Sequence, residues 1–583
     1  MKAFVIAMDN PLLFNHFIEP IKDDFESLYP NSKYRTELLE IETIKLWDNK
    51  QYNRALKNLK YIFSSNPLSQ ICTQLEYEFL PADAKKDFLF YLKRTENVNN
   101  FDISPQSGIT LDDISTFQLK RLKMPSIRAN SLQPLEGMPI QWLWFPNNQI
   151  EDLYPLRDMP LQTLFGNNNH LVDLSPLSKM PLHFLHLKGN NIYDITPLTD
   201  LPIQSLDVSQ NRIANLDPLT NLPLKELNIS SNEINTVDAL KGIKLSRLFI
   251  DNNSITALLP LHKAPLQVIS FRNNWVSDLS PLRDSPLEHI HAGSNQIKDI
   301  SSLTGLNLHY LNLDNNQIIN FEPLNRVSVN TLVLSRNNIK ELSALFSPDL
   351  KSLNIGHNRL STLDKIKYLE LEKLNCSHNN ILSLEPLEGM DVKMINCQDN
   401  LLSSLYPLYE TPPDTFLFDN KGITSIEIEE VIRLWSQNPR YRYNVYYAKL
   451  VLYIRNRNIK ALRSLAKEYS GHLYLHITRK MSWEQAEQLC MQLGGHLATI
   501  TSRRENLFIS SVLRDNYPAW IGLKSENKQW KWVSGSSLTY SNTHHRYEAH
   551  IFPTLLITGR HNNARWIADA DVLESGFVIE WDN

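Results

Sequence analysis

The stretch LHFLHLKGNNIYDITPL, residues 182–198, carries the pattern on which the fold depends. Leu185 and Leu187 are two residues apart, and this period of two predicts a short strand with both leucines directed inward. Asn190 follows three residues later, where its amide can bond to backbone groups as the chain turns out of the strand. Pro197 favours a short return segment over a full helix. The stretch therefore predicts one unit made of a strand, a turn and a return segment.

The same unit recurs every 21 residues without an insertion. The leucine that closes each return segment, once replaced by isoleucine, repeats at this interval as Leu135, Leu156, Leu177, Leu198, Leu219, Leu240, Leu261, Leu282, Leu303, Leu324, Leu345, Ile366, Leu387 and Leu408. An asparagine recurs eight residues before these positions, from Asn148 to Asn400. One unit cannot bury its apolar face alone, whereas stacked units share a continuous core. The pattern predicts a solenoid with stacked asparagines along its turns.

In unit length and pattern, these repeats resemble the leucine-rich-repeat family, and the short 21-residue unit most resembles the bacterial internalin-like class. The resemblance implies a curved solenoid that binds a partner and has no catalytic activity. We call the side chains that alternate with the core leucines on each strand the concave face. A protein or peptide ligand is expected on this face.

The concave face is predicted to be aromatic in its N-terminal half and small and polar in its C-terminal half. Its candidate ligand-binding residues are Trp142, Trp144, Phe165, Phe184, His186, Arg247, Phe249, Arg272, His289, His291 and Tyr310. Exposed aromatic residues with arginine are typical of binding hot spots. Two interpretations stay open, because the N-terminal segment could instead fold over Trp142 and Trp144. His289 and His291 share one strand, but the sequence shows no third ligand beside them, so no metal site is predicted.

Composition excludes several classes of function. A formal net charge of −4 over 583 residues gives no global attraction to nucleic acid or anionic membranes. The four cysteines, Cys72, Cys376, Cys397 and Cys490, match no zinc spacing and favour a reducing compartment. No catalytic or phosphate-binding motif is present, so neither an enzyme nor a cofactor is predicted.

The N-terminal apolar run is short for a signal peptide, and no run is long enough to span a membrane. These features predict a cytoplasmic protein, with export without a signal peptide left open.

The segment from residue 431 to 467 contains nine lysines or arginines and five interleaved tyrosines. Its candidate basic patch consists of Arg442, Lys449, Arg455, Arg457, Lys460 and Arg463. Basic and aromatic residues together can contact nucleic acid or anionic lipid. The favoured alternative is a helical cap whose charges face water or a neighbouring acidic surface.

The C-terminal segment carries a different set of motifs. In order, these are Met481 to Ala486, Gly494 to Ile500, Trp520 to Leu523, Trp530 to Trp532 and Gly576 to Glu580. Together they resemble a C-type lectin-like domain. The resemblance implies a compact α+β core, in which Gly522 lies at a close backbone approach and Trp532 packs beneath it.

The calcium site of that family does not carry over to this sequence. The family's Trp-Asn-Asp triplet reads Trp566-Ile567-Ala568, and the apolar replacements cannot supply oxygen ligands. The second calcium-binding tripeptide is missing from residues 543–552, and only Asp569 and Asp571 remain nearby. Cys490 also lacks its family partner, because that position is Ile579. We expect a calcium-independent domain that keeps the fold without disulfides.

Together these features predict an α+β multidomain chain. Its expected parts are a helical N-terminal domain (1–110), the repeat solenoid (111–429), a basic helical cap or linker (430–470) and the lectin-like domain (471–583). The predicted function is a non-enzymatic scaffold that binds a protein or peptide on the concave face, with a second recognition surface on the lectin-like domain. Two alternatives stay open: glycan binding by the lectin-like domain, and contact of the basic segment with nucleic acid or lipid. The sequence makes no prediction of oligomeric state.

Overall fold

The structure is a computed structural model that describes residues 99–103, 110–342, 347, 349–410, 412–419, 421–513, 518–526, 529–542, 554–557, 564, 566–567 and 575–582. Of these described residues, those up to Arg359, with Tyr368–Glu370, belong to one compact unit. Leu360–Lys367 and the residues from Leu371 onward belong to a second. The predicted helical N-terminal domain falls almost wholly outside the described residues.

The first unit is built on parallel strands that pair in sequence order. In the described part these are β1 (Asn100–Asp102), β2 (Arg121–Lys123), β3 (Trp142–Trp144), β4 (Thr163–Phe165), β5 (Phe184–His186), β6 (Ser205–Asp207), β7 (Glu226–Asn228), β8 (Arg247–Phe249), β9 (Val268–Ser270), β10 (His289–His291), β11 (Asn307–Asn312), β12 (Ser328–Val333) and β13 (Ser352–Asn354). Each core leucine stands beside its counterpart 21 residues on, as Leu143 stands beside Leu164. The predicted leucine-rich-repeat solenoid is confirmed.

The return segments are single 3₁₀ turns, as the prolines predict. A short helix, α1 (Leu111–Ile114), precedes them. The turns of the first unit are Gln133–Leu135, Tyr154–Leu156, Ser175–Leu177, Thr196–Leu198, Asp217–Leu219, Asp238–Leu240, Leu259–Leu261, Ser280–Leu282, Ser301–Leu303 and Glu322–Arg326. The repeat leucine of each turn is buried, for example Leu198 and Leu261.

The recurring asparagines form the predicted ladder. Asn190 Nδ2 donates to the Leu187 carbonyl at 2.8 Å and to the Gly166 carbonyl of the preceding repeat at 3.1 Å. Its Oδ1 accepts from the Leu171 backbone N–H at 3.0 Å. Each asparagine therefore satisfies buried backbone groups in its own repeat and in the one before.

The residue before each ladder asparagine adopts a left-handed backbone conformation, which was not anticipated. Gly189 does so at φ 69°, but Ser231 (φ 56°) and Arg336 (φ 55°) do so with a side chain. This conformation costs non-glycine residues energy and persists only where the surrounding structure enforces it. The asparagine bonds in both repeats supply that enforcement.

The second unit begins with three more parallel strands, β14 (Lys373–Asn375), β15 (Met394–Asn396) and β16 (Thr415–Leu417). Its 3₁₀ turns are Asp364–Ile366, Glu385–Leu387, Tyr406–Leu408 and Pro439–Tyr441. Three helices follow the strands: α2 (Ser425–Trp435), α3 (Arg442–Arg455) and α4 (Ile459–Arg463).

The chain then forms a mixed sheet with two helices. Its elements are β17 (Lys467–Tyr469), β18 (His472–Met481), α5 (Trp483–Gln492), β19 (His496–Leu497), α6 (Arg503–Val512), β20 (Ala519–Glu526), β21 (Gln529–Trp532), β22 (Thr554–Ile557), β23 (Trp566–Ile567) and β24 (Ser575–Trp581). The sheet order is β17-β18-β24-β20-β22-β23, with β19 on β24 and β21 on β20. The predicted α+β lectin-like fold is confirmed, while the predicted domain limits stay a prediction.

Buried tryptophans and a glycine fix this sheet. The Trp483 indole donates to the Ile521 carbonyl at 2.8 Å, and the Trp520 indole donates to the Met481 carbonyl at 2.9 Å. A Cβ on Gly522 would lie 2.5 Å from the Leu497 carbonyl oxygen, so this position requires glycine as the close approach predicted.

Within the described residues, no helix combines the length and the apolar character that crossing a membrane requires.

Candidate functional site

The strand register aligns the concave face in two rows along the first unit. One row runs from Trp142 through Thr163 to Phe184, and the other runs from Trp144 through Phe165 to His186. Neighbouring parallel strands lie about 4.8 Å apart, so successive side chains of each row stand side by side. The structure thus brings together the aromatic residues that the repeat pattern placed on one face.

These five residues form what we call the aromatic cluster: Trp142, Trp144, Phe165, Phe184 and His186. The ring centroids of Trp142 and Phe165 are 6.0 Å apart, and those of Phe165 and His186 are 4.7 Å apart, both edge to face. Phe184 is 45% exposed. An apolar surface of this kind, open on a rigid sheet, is suited to receive a ligand's apolar side chain.

Two cations that the sequence reasoning missed border the aromatic cluster. The Arg121 guanidinium lies 4.1 Å from the Trp142 ring centroid, and the Lys123 ammonium lies 4.9 Å from that of Trp144. Both side chains come from β2, one period before Trp142 and Trp144. The 21-residue spacing was therefore a signal that could have found them. Cations over aromatic faces attract the ring quadrupole and add positive charge to the surface.

His186 connects the aromatic cluster to an acidic stretch of the same face. Its Nε2 lies 3.2 Å from Ser205 Oγ. Burial lowers the pKa of His186 below 6.5, and the nearby carboxylates of Asp207 and Glu226 offset part of that effect. The ring is therefore mostly neutral at pH 7.

The middle of the concave face is more polar. Arg247 lies 5.7 Å from the Phe249 ring centroid and 3.5 Å from Glu226 Oε1. The rings of His291 and Tyr310 stack with centroids 4.6 Å apart. The inclusion of Arg272 in this face was wrong, because Arg272 follows the end of β9 at Ser270 and lies in the turn.

Potential metal ligands also meet on this part of the first unit. The donor atoms of Glu288, His289 and His309 all lie within 4.8 Å of one another. Sequence reasoning paired His289 with His291 and missed His309. The 21-residue register would have revealed it, because His309 stands one period after Glu288.

Several residues of the basic segment make structural contacts. Arg455 donates to the Ile423 carbonyl at 2.6 Å and lies 3.5 Å from the Asp419 carboxylate. The Arg463 guanidinium lies 5.9 Å from the Trp581 ring centroid. Arg442, Arg457 and Lys460 are exposed, and Lys449 is half-buried. The pairing of Arg455 favours the interpretation of this segment as a cap.

The described part of the lectin-like calcium region is apolar. Ile567 lies in β23 opposite Leu556, and the Trp566 indole donates to Asn506 Oδ1 at 2.7 Å. Ala568, Asp569, Asp571 and residues 543–552 lie outside the described residues.

The cysteines of the described chain are buried and are not joined in disulfides. They are Cys376, Cys397 and Cys490. Burial raises the pKa of the Cys376 thiol to about 12, and it raises the pKa of the other two thiols as well. These thiols are protonated and unreactive at neutral pH.

Comparison with known proteins identifies the C-terminal segment. The family model described as "Lectin C-type domain" matches residues 479–567. Snaclec bitiscetin subunit alpha from Bitis arietans is 37% identical over 83 residues, which is 13% of this chain and 63% of that protein. Lymphocyte antigen 75 from Homo sapiens is 34% identical over 76 residues, which is 12% of this chain and 4% of that protein. The chain thus spans less than two thirds of either relative.

The repeats resemble solved structures as well. An internalin from Listeria monocytogenes is 24% identical, with a TM-score of 0.44, and the match covers 54% of this chain and 90% of that one.

Proposed function

Because the chain carries a leucine-rich-repeat solenoid and a C-type lectin domain, we propose that it is a non-enzymatic binding scaffold whose concave face holds a protein or peptide. The observation that supports this proposal is the aromatic cluster with its bordering cations. Few interface residues carry most of the binding free energy, and aromatic residues with arginine are enriched among them.

The position of the cluster supports a ligand that presents an apolar or aromatic anchor. Phe184 is open to solvent, while Trp142 and Phe165 are half-buried and contact each other edge to face on the two preceding strands. Arg121 and Lys123 bring positive charge to one end, and Asp207 and Glu226 bring negative charge to the other. A peptide with an apolar centre and an acidic residue toward the β2 end matches this order of charges.

The proposal is tested by selecting peptides from a phage-displayed random library on the full chain. The enriched peptides are synthesised, and their Kd is measured against the wild type and the Trp142→Ser/Phe165→Ser variant. We expect the variant to bind at least about tenfold more weakly, because truncating central aromatic anchors typically costs more than about 1.4 kcal/mol.

Trp275→Ser is the matched control. Trp275 is 57% exposed but follows a ladder asparagine in a turn and is not part of the concave face. This control should bind like the wild type, and circular dichroism should show that all variants fold. Equal peptide affinity in the wild type and the double variant would remove the aromatic cluster as the site.

A second candidate function, glycan binding, is favoured by the family match over residues 479–567. Since the apolar Ile567 replaces an oxygen ligand, we expect any such binding to be independent of calcium. A glycan array probed with and without chelator tests this: strong signals that survive the chelator support glycan recognition, and an empty array refutes it.

A further inference from the structure

Four potential metal ligands meet on one face of the lectin-like sheet, where β24 lies between β18 and β19. Glu580 stands opposite Tyr474 of β18 and opposite His496 of β19. His472 is two residues before Tyr474, and Asp582 is two residues after Glu580. Because side chains alternate along a strand with a period of two, His472, His496, Glu580 and Asp582 point to the same side.

The donor atoms of these residues are close together. His472 Nδ1 lies 2.8 Å from Asp582 Oδ1 and 3.0 Å from Glu580 Oε1. His496 Nε2 lies 3.4 Å from Asp582 Oδ2. Neighbouring donors around a four-coordinate zinc ion lie about 3.3 Å apart, given bonds of about 2.0 Å. His472, Glu580 and Asp582 therefore need only small movements to bind one ion, because their donor atoms all lie within 4.8 Å of one another. His496 reaches this group through Asp582.

The hydrogen bonds around the cluster hold the ligands in the orientation that a metal requires. His496 Nδ1 lies 2.9 Å from the Leu497 carbonyl, which accepts its N–H. A lone pair on Nε2 then faces the Asp582 carboxylate, and either a proton on Nε2 or a metal cation between the two groups removes the repulsion. Metal-bound histidines commonly donate their second N–H to a backbone carbonyl in this way.

Glu580 is held in place by contacts of the same kind. Its side chain is 4% exposed, the Thr499 backbone N–H donates to Oε2 at 2.8 Å, and the Tyr474 hydroxyl, which shares its one proton with Glu505 Oε1 at 2.7 Å, lies 3.0 Å from Oε1. A buried carboxylate oriented by two donors is a rigid anchor for an ion. His472 and Asp582 are more exposed, so the cluster is open to solvent on that side.

We propose that His472, His496, Glu580 and Asp582 form a zinc-binding site that joins β18, β19 and β24. Two imidazole nitrogens with two carboxylates match zinc and its transition-metal neighbours, whereas calcium and magnesium prefer an all-oxygen set. The site would stabilise the end of β24, because metal binding free energy adds to folding free energy. Cys490 of this segment is buried with a free thiol. A bound ion would therefore cross-link these strands without a disulfide.

The test uses zinc chloride and the full chain carrying His309→Gln, which removes the separate group at Glu288, His289 and His309. Isothermal calorimetry should detect zinc binding, and zinc should raise the Tm. Adding His472→Gln should weaken zinc binding at least about tenfold and abolish the rise in Tm. Cobalt substitution should give visible absorption bands of a four-coordinate nitrogen and oxygen site.

Two further variants make the result decisive. Asp582→Asn replaces an exposed carboxylate with an amide of the same shape, so the fold should be unaffected. A loss of zinc affinity in this variant therefore reports the loss of a ligand and not a folding defect. His262→Gln, an exposed histidine of the first unit, should leave zinc binding unchanged. The proposal is overturned if the background chain shows no zinc-dependent rise in Tm. It is overturned equally if His472→Gln binds zinc as before, or if calcium competes as strongly as zinc.

Discussion

His186 combines partial burial with a place in the aromatic cluster, and this affects how the folded chain binds protons. Desolvation penalises the imidazolium and lowers the folded-state pKa below 6.5, while Asp207 and Glu226 act in the opposite direction. The folded chain therefore binds this proton less readily than the unfolded chain. The corresponding stability is fully present above pH 6.5 and is lost as the pH falls through the lowered folded pKa.

We predict that His186→Gln reduces the acid sensitivity of the first unit. Glutamine does not titrate and keeps a hydrogen-bonding group near Ser205 Oγ. Between about pH 8 and about pH 5, the midpoint of urea unfolding should fall less in the variant than in the wild type. The His186 ring protons should also titrate in NMR spectra with a midpoint below 6.5. An identical pH dependence in both chains would contradict the prediction.

The helical segment after the repeats is an integral part of the second unit. Leu450 of α3 and Leu462 of α4 share one hydrophobic core with Leu475, Ile477 and Trp581 of the lectin-like sheet. On the repeat side, Tyr447 Oη accepts from the Gln398 amide at 2.6 Å. The segment therefore packs against the last repeats and against the lectin-like sheet, and it is not a flexible linker.

Asn444 of α3 is the polar residue on which this packing depends most. It is fully buried, its Oδ1 accepts from the Phe416 N–H at 2.9 Å, and its Nδ2 donates to the Pro413 carbonyl at 2.7 Å. We predict that Asn444→Ala lowers the unfolding free energy of the second unit by about 1–3 kcal/mol for each backbone group left unpaired. Urea unfolding followed by tryptophan fluorescence measures this loss.

Arg442→Ala is the control for this prediction, because Arg442 begins the same helix and is exposed. Its unfolding free energy should stay within about 0.5 kcal/mol of the wild type. If Asn444→Ala also lost less than about 0.5 kcal/mol of unfolding free energy, the inference that Asn444 stabilises the packing of α3 against the repeat strands would be wrong.

The repeat elements were largely predictable because their spacing is constant. The 21-residue register placed Trp142, Phe165 and His186 on successive strands, where the structure has them. The list of concave-face residues, however, began at Trp142 and so omitted Arg121 and Lys123 of the preceding strand. Leu122 and Met124 lie one period before Leu143 and Phe145, but no ladder asparagine follows them to mark the repeat.

The lectin-like cluster was beyond sequence reasoning for a different reason. His472, His496 and Glu580 come from antiparallel strands that are far apart in the chain, and no fixed spacing relates them. Only the register between the strands brings these side chains together. The resemblance to the family gave the fold of this segment, but the family's motif does not mark these four positions.

At the level of the whole molecule, the chain divides into two compact units, and the second contains the hydrophobic core that α3 and α4 share with the lectin-like sheet. Chains built in this way commonly depart from two-state unfolding. We predict more than one transition in urea, and we predict that Asn295→Ala shifts the transition of the first unit. Asn295 donates to the Phe271 and Gly293 carbonyls and accepts from the Val276 N–H, so its loss should cost about 1–3 kcal/mol.

The measurement is fluorescence-detected unfolding combined with hydrogen exchange, which assigns each transition to a segment. Gln296→Ala, an exposed neighbour in the same turn, should unfold like the wild type. A single transition that moves as a whole in Asn295→Ala would contradict the division into separately stabilised units.

The ladder asparagines also determine how such a chain can change in length. The ladder bonds recur within a repeat and to the preceding repeat at the same offsets from unit to unit, as Asn190 bonds to Gly166 and Leu171. Removing one block of 21 residues, such as 212–232, would join two ends that already match. Recombination between copies can therefore remove or add whole repeats. Such a change alters the length of the array and keeps the asparagine hydrogen bonds between the remaining repeats.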